Sequence, residues 1–167
     1  FLIRPFCLIS RSLSFLSSHV TGRSSNSDYD TSHLLDKTKF QLNLSKKEIE
    51  IGDKIMKENN LNKKNIICIG VRDSSYLKKA FKKQDFSYHN HRNDDIKKYI
   101  PGIKFLLKNG YTVIRMGSIT DKKLYINHKN FFDYSNSKIK SDFMDVYISY
   151  ICKLFISNNT GLDGIAV

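Results

Sequence analysis

Apolar positions follow two rhythms along this chain, and each change of rhythm marks an element. After Ser45, the residues Ile49, Gly52 and Met56 recur at helical spacing, and Asn59-Asn60 closes the stretch. Glu48 stands three residues beyond Ser45, the spacing of a capping box. Residues 66–71 (IICIGV) are short, apolar throughout and rich in β-branched side chains, as in a strand covered on both faces. Ser74 to Phe81 reads as a short helix or turn. Ile96, Ile100, Ile103 and Leu107 then recur at spacings of 4, 3 and 4, with Gly110 at the C-terminal cap and Asn93 or Asp94 available to cap the start. Pro101 inside this pattern predicts a kink, or a break that puts Pro101 in a new first turn.

Three more strands follow at residues 111–116 (YTVIRM), 131–134 (FFDY) and 154–157 (LFIS). Ser141 caps a helix over 142–153 whose inner stripe is Phe143, Val146 or Tyr147, and Tyr150, and Thr160-Gly161-Leu162 opens another helix. Strand, helix, strand, strand, helix, strand, helix start is the order of an α/β fold with an open, mostly parallel sheet. Ligands of such sheets bind beyond the carboxyl ends of the strands. Here those ends are Val71-Arg72-Asp73, Met116-Gly117-Ser118 and Ser157-Asn158-Asn159-Thr160-Gly161, all polar or glycine-bearing.

Residues 1–44 form an N-terminal segment and linker, and residues 45–167 the α/β domain. The first twenty residues are apolar and serine-rich, interrupted by Arg4 and Arg11, and residues 21–38 are polar with little periodicity. The chain opens on Phe1 and its last residues read as the start of an element, so we expect a fragment lacking flanking domains.

Composition narrows the picture. Of 28 basic residues 22 are lysine, and the net charge is +12. Most of it falls on residues 45–110, which could draw RNA, a membrane face or a phosphorylated small molecule. The lysines come as scattered pairs in a chain skewed to Lys, Asn and Ile, which takes weight from the nucleic-acid reading; DNA is not expected. Three cysteines, odd in number and widely spaced, argue against a disulfide-framed module. No stretch reaches the ~20 apolar residues of a spanning helix. The expected location is the cytoplasm, with association at the inner-membrane surface left open.

Three constellations carry candidate chemistry. Arg72 leaves a buried strand, and its forked guanidinium matches a diphosphate; the alternative is a salt bridge to Asp73 that ties down a loop. Residues 86–95 (FSYHNHRNDD) hold His89, His91, Arg92, Asp94 and Asp95. A histidine there can act as general base or bind phosphate when protonated, and Arg92 can neutralise a leaving diphosphate. A capped surface loop accounts for the same residues. Thr160-Gly161 can hold a phosphate on its backbone amides and hydroxyl, with Asp163 accepting from a ribose or base, or Thr160 and Asp163 can simply cap a helix. The dinucleotide fingerprint, the Walker loop and the esterase elbow are all missing, as is any zinc-ligand spacing or Asp-x-Asp metal motif.

Four segments together resemble a family of bacterial glycosyltransferases of surface-carbohydrate biosynthesis with two-domain GT-B architecture. They are VRDSSYL (71–77), DFSYHNHRNDDIKKYIPGIKFLLKNGYTVIRMGS (85–118), FFDYSNSKIKSDFMDVYISYICKLFIS (131–157) and NNTGLDGIA (158–166). The resemblance implies an incomplete, Rossmann-like C-terminal donor domain and a nucleotide-sugar donor as substrate, with a glycan acceptor; the missing Asp-x-Asp motif makes metal-independent action the expectation. It assigns catalysis to His91, Arg92 and Asp94, and donor binding to Arg72, Gly117, Ser118, Asn159, Thr160, Gly161 and Asp163. A looser similarity to fucosyltransferases rests on a His-x-Arg motif, from which this chain departs because His91 adjoins Arg92. The rival expectations are a nucleotide- or RNA-binding module without catalysis, and an inactive remnant of a longer protein.

Overall fold

The computed structural model describes Lys37 and residues 42–120, 122–158 and 160–165. The chain divides into two units, residues 1–40 and 41–167, and the account below concerns the second. The expectations for the apolar N-terminal stretch and the polar linker lie outside the described residues, except at Lys37.

The second unit is built on a four-stranded, wholly parallel sheet in the order β3-β2-β1-β4. Its strands are β1 (Ile66–Gly70), β2 (Thr112–Met116), β3 (Phe131–Asp133) and β4 (Leu154–Ser157). All five residues of β1 and all five of β2 are buried, which explains their unbroken apolar runs. Side chains still alternate between faces. Ile66 and Cys68 of β1 join Ile114 and Met116 of β2 in one core, while Ile69 and Val113 join the other.

The described residues of this unit form four α-helices, α1 (Lys46–Glu58), α2 (Ser75–Ala80), α3 (Ile100–Lys108) and α4 (Asp142–Ile151), of which α1, α3 and α4 cover the faces. Met56 of α1 and Met144, Tyr147 and Ile148 of α4 fill the first core, and Ile103 and Leu107 of α3 fill the second. The β1-to-β2 and β3-to-β4 crossovers thus place helices on opposite faces, the arrangement of a generic Rossmann-like sheet.

The capping box at α1 forms, with Ser45 and Glu48 bonding each other's ends. Pro101 resolves as a break: Ile96–Tyr99 is a short 3₁₀ turn, and α3 starts at Ile100 with Pro101 in its first turn. Two local expectations change. Asp95 caps that turn, by accepting from the Lys97 amide, where Asn93 or Asp94 was expected. The inner stripe of α4 is Met144, Tyr147 and Ile148, rotated from the predicted one, because two faces of this short helix are apolar and the Tyr147 ring fits beside Gly52.

That contact couples α1 to α4. A Cβ added at Gly52 would lie 2.3 Å from the Tyr147 ring. The ring is held, since its hydroxyl donates to Asp53, which also pairs with Lys63 ahead of β1. Lys63 first, and then Tyr147, keep the Asp53 carboxyl below its ordinary range.

Arg115 is the charged residue of β2, and it is 2% exposed. Its Nη1 donates to the Lys122 carbonyl and to Asp133 of β3. Asp133 also accepts from the Leu124 amide at 2.9 Å, Ser135 Oγ at 2.7 Å and Asn136 Nδ2 at 2.9 Å. One carboxylate therefore anchors the long connection between β2 and β3. Among the described residues the cysteines, Cys68 and Cys152, are free thiols, and no helix is long and apolar enough to cross a membrane.

Two stability predictions follow from these contacts. Gly52→Ala should destabilise the domain by about 1–3 kcal/mol through overpacking against Tyr147, read from the midpoint of urea unfolding. Asp133→Ala should cost about 3–5 kcal/mol by leaving Arg115 buried and uncompensated; an unchanged midpoint would show that Arg115 finds another partner.

Candidate functional site

The register brings three strand ends level. Gly70 pairs with Met116 on one side and with Ser157 on the other. The residues that follow, Val71–Asp73, Gly117–Thr120, and Asn158, Thr160 and Gly161, therefore leave the sheet side by side. They surround a cavity of about 430 Å³, with Tyr76 and Leu77 of α2 and Leu162 and Ile165 closing it. This is the switch point of the sheet, where β1 has β2 on one flank and β4 on the other.

Five of the residues expected at a donor site line this one cavity: Arg72, Gly117, Ser118, Thr160 and Gly161. Gly161 has φ +86°, a left-handed conformation that side chains rarely adopt. Thr160 is turned inward, its amide donating to Ser157 Oγ at 3.2 Å. The helix expected to open here is only a 3₁₀ turn, Asp163–Ile165, among the described residues. Asp163 sits in that turn and does not line the cavity. Asn159 lies outside the described residues.

The proposed catalytic trio is placed differently. Residues Ser87–Arg92 form a 3₁₀ turn, and none of His91, Arg92 and Asp94 lines the first cavity. His91 is exposed, with Nδ1 2.8 Å from the Tyr88 carbonyl. Asp94 lines a second, polar cavity of about 310 Å³ that shares Val71 and Asp73 with the first. Its carboxylate pairs with Lys98 at 2.7 Å and accepts from Tyr99. The Lys98 ammonium, the Asp95 amide and Tyr99 hold it below the ordinary carboxylate range. A carboxylate so stabilised is a weak proton acceptor.

Asn158 links the two regions, and reading by spacing alone missed it. Its Oδ1 accepts from the Arg72 amide at 2.7 Å, and its Nδ2 donates to the Arg92 carbonyl at 3.2 Å. The Asp94 amide donates to the Arg72 carbonyl at 2.9 Å. One amide side chain after β4 thereby fastens the segment after β1 to the 87–92 turn. The run of asparagines at 158–159 was the available signal, but only the fold reveals which backbone groups it meets. Gly70 is a second unnoticed contributor: a Cβ there would come within 3.2 Å of the Thr160 hydroxyl and 2.9 Å of Phe155.

This fastening concentrates positive charge. His89 titrates below its ordinary value, first because it is partly desolvated, then because Arg72, Arg92 and His91 are near. No ion pair among the described residues gives Arg72 or Arg92 a carboxylate. The region beside the cavity can therefore stabilise an anion by direct charge. Among the described residues no group of three His, Cys, Asp or Glu side chains is arranged to hold a metal ion.

Comparison with protein-family models, with curated proteins and with solved structures returns no match.

The electrostatic reading has a direct check. The His89 ring, followed by NMR against pH, should titrate below about 6.5, and Arg72→Gln should move its midpoint upward, since removing a positive neighbour favours the protonated ring. An unmoved midpoint would leave burial as the sole cause.

Proposed function

We propose that the crevice binds the diphosphate of a nucleotide sugar and that the protein is a glycosyltransferase, passing the sugar to a cell-surface glycan or related acceptor. The observation that carries this reading is the convergence of Arg72, Gly117, Ser118, Thr160 and Gly161 around one cavity at the switch point of the sheet. The apolar walls formed by Tyr76, Leu77, Leu162 and Ile165 suit a planar base, and the polar strand ends suit phosphate. The family resemblance of the same segments supplies the sugar.

In this proposal the acceptor hydroxyl attacks the anomeric carbon and gives its proton to Nε2 of His91, the carbon–oxygen bond to the diphosphate breaks, and the nucleoside diphosphate leaves carrying the new negative charge. Arg72 and Arg92 balance that charge, which grows as the bond breaks and is therefore stabilised more in the transition state than in the bound donor. His89 lies in the same field and gains affinity for its proton when an anion arrives. His91 is thus the base of the proposal, while Asp94, held as a carboxylate beside Lys98, only orients the acceptor.

Calorimetric titration of the chain with UDP, GDP, ADP and CDP tests the donor site. One base should bind selectively, and Arg72→Gln and Arg92→Gln should each weaken it about tenfold, or ~1.4 kcal/mol. A folded chain that binds none of the four would overturn the reading.

A further inference from the structure

Beside the part that lines the crevice, residues 75–92 carry a surface that the crevice does not use. Lys78, Lys79, Lys82 and Lys83 are all exposed, and the only carboxylate in this stretch is Asp85. No ion pair among the described residues engages these four ammonium groups. Set among them, Phe81 is 44% exposed and Tyr88 is 64% exposed. The rings form an island: Phe81 packs on Phe86 at 5.4 Å, and Phe86 on Tyr88 at 6.1 Å. Water solvates the ammonium groups well and the rings poorly. The headgroup layer of an anionic bilayer accommodates both, since aromatic rings favour that depth and each lysine near the surface gains from the negative potential.

We propose that this segment docks the protein on an anionic membrane surface. Phe81 and Tyr88 enter the headgroup layer, and the four lysines rest on lipid phosphates. The proposal stands on these residues and does not require the crevice to bind a nucleotide. A single-stranded nucleic acid would satisfy the charge equally, but it draws much of its affinity from rings free to stack on successive bases. Here the rings are engaged with one another, and Tyr88 also meets His89 at 4.1 Å. The docking has a positional consequence. Tyr76 and Leu77, in the same segment, line the crevice, so its mouth opens beside the bilayer and a lipid-borne substrate reaches it by diffusing in the plane.

The test is flotation of the full chain with vesicles of phosphatidylcholine alone and of phosphatidylcholine containing phosphatidylglycerol. The chain should float with the anionic vesicles only. Lys78→Glu with Lys82→Glu should lower that partition at least about tenfold. Phe81→Ser with Tyr88→Ser, which leaves the charge unchanged, should also lower it about tenfold. Circular dichroism verifies that each pair stays folded, and the two pairs probe the surface independently. No flotation, equal flotation on neutral vesicles, or full flotation of either folded pair would overturn the proposal. Tighter binding to a uridine oligonucleotide, lost in both pairs, would overturn it in favour of RNA.

Discussion

Two-sided burial of β1 is the constraint on which the rest of the domain depends. The strand is sandwiched between two parallel neighbours and two helical layers, and it leaves no residue in water. Parallel neighbours need long crossovers, and those crossovers must lie on opposite faces if both sides of the strand are to be covered. Once that holds, the chain must enter at one end of the sheet and leave at the other, and every exit segment gathers on one edge. The crevice is a by-product of covering β1.

What distinguishes this crevice from any other strand-end opening is the way its rim is tied. A single asparagine side chain satisfies one donor and one acceptor from two segments distant in sequence. The resulting closeness of Arg72, Arg92 and His91 to His89 disfavours a proton on the His89 ring. Hydrogen bonds of the backbone offset that repulsion, so the charge is maintained by structure and available to a ligand.

The fold was largely legible because its signals are local. Residues 66–70 and 112–116 are apolar throughout, Ser45 and Ser141 announce helices, and Gly110 follows the end of α3. Position at strand ends was enough to bring Arg72, Gly117, Ser118, Thr160 and Gly161 together. The rest was not legible because it depends on distant partners. Nothing near Asn158 in the chain shows that it meets residues 72 and 92. Of the expected α4 stripe Tyr147 holds, while Met144 and Ile148 take the places of Phe143 and Tyr150, and the fit of Tyr147 beside Gly52 spans 95 positions of sequence. After Gly161 the described residues form a 3₁₀ turn, Asp163–Ile165, since a capping pattern gives a start and not a length.

Asp133 gathers donors from Arg115, Leu124, Ser135 and Asn136, and Asn136 in turn donates to Thr120 in the crevice wall. The described residues between β2 and β3 form no helix, yet they cannot yield at one point without breaking bonds at several others. That wall is preorganised. A ligand of the proposed kind would be selected by shape at that wall, with little entropy left to lose on binding, and adaptation to different ligands would fall to the wall formed by α2, which is short and carries no buried residue.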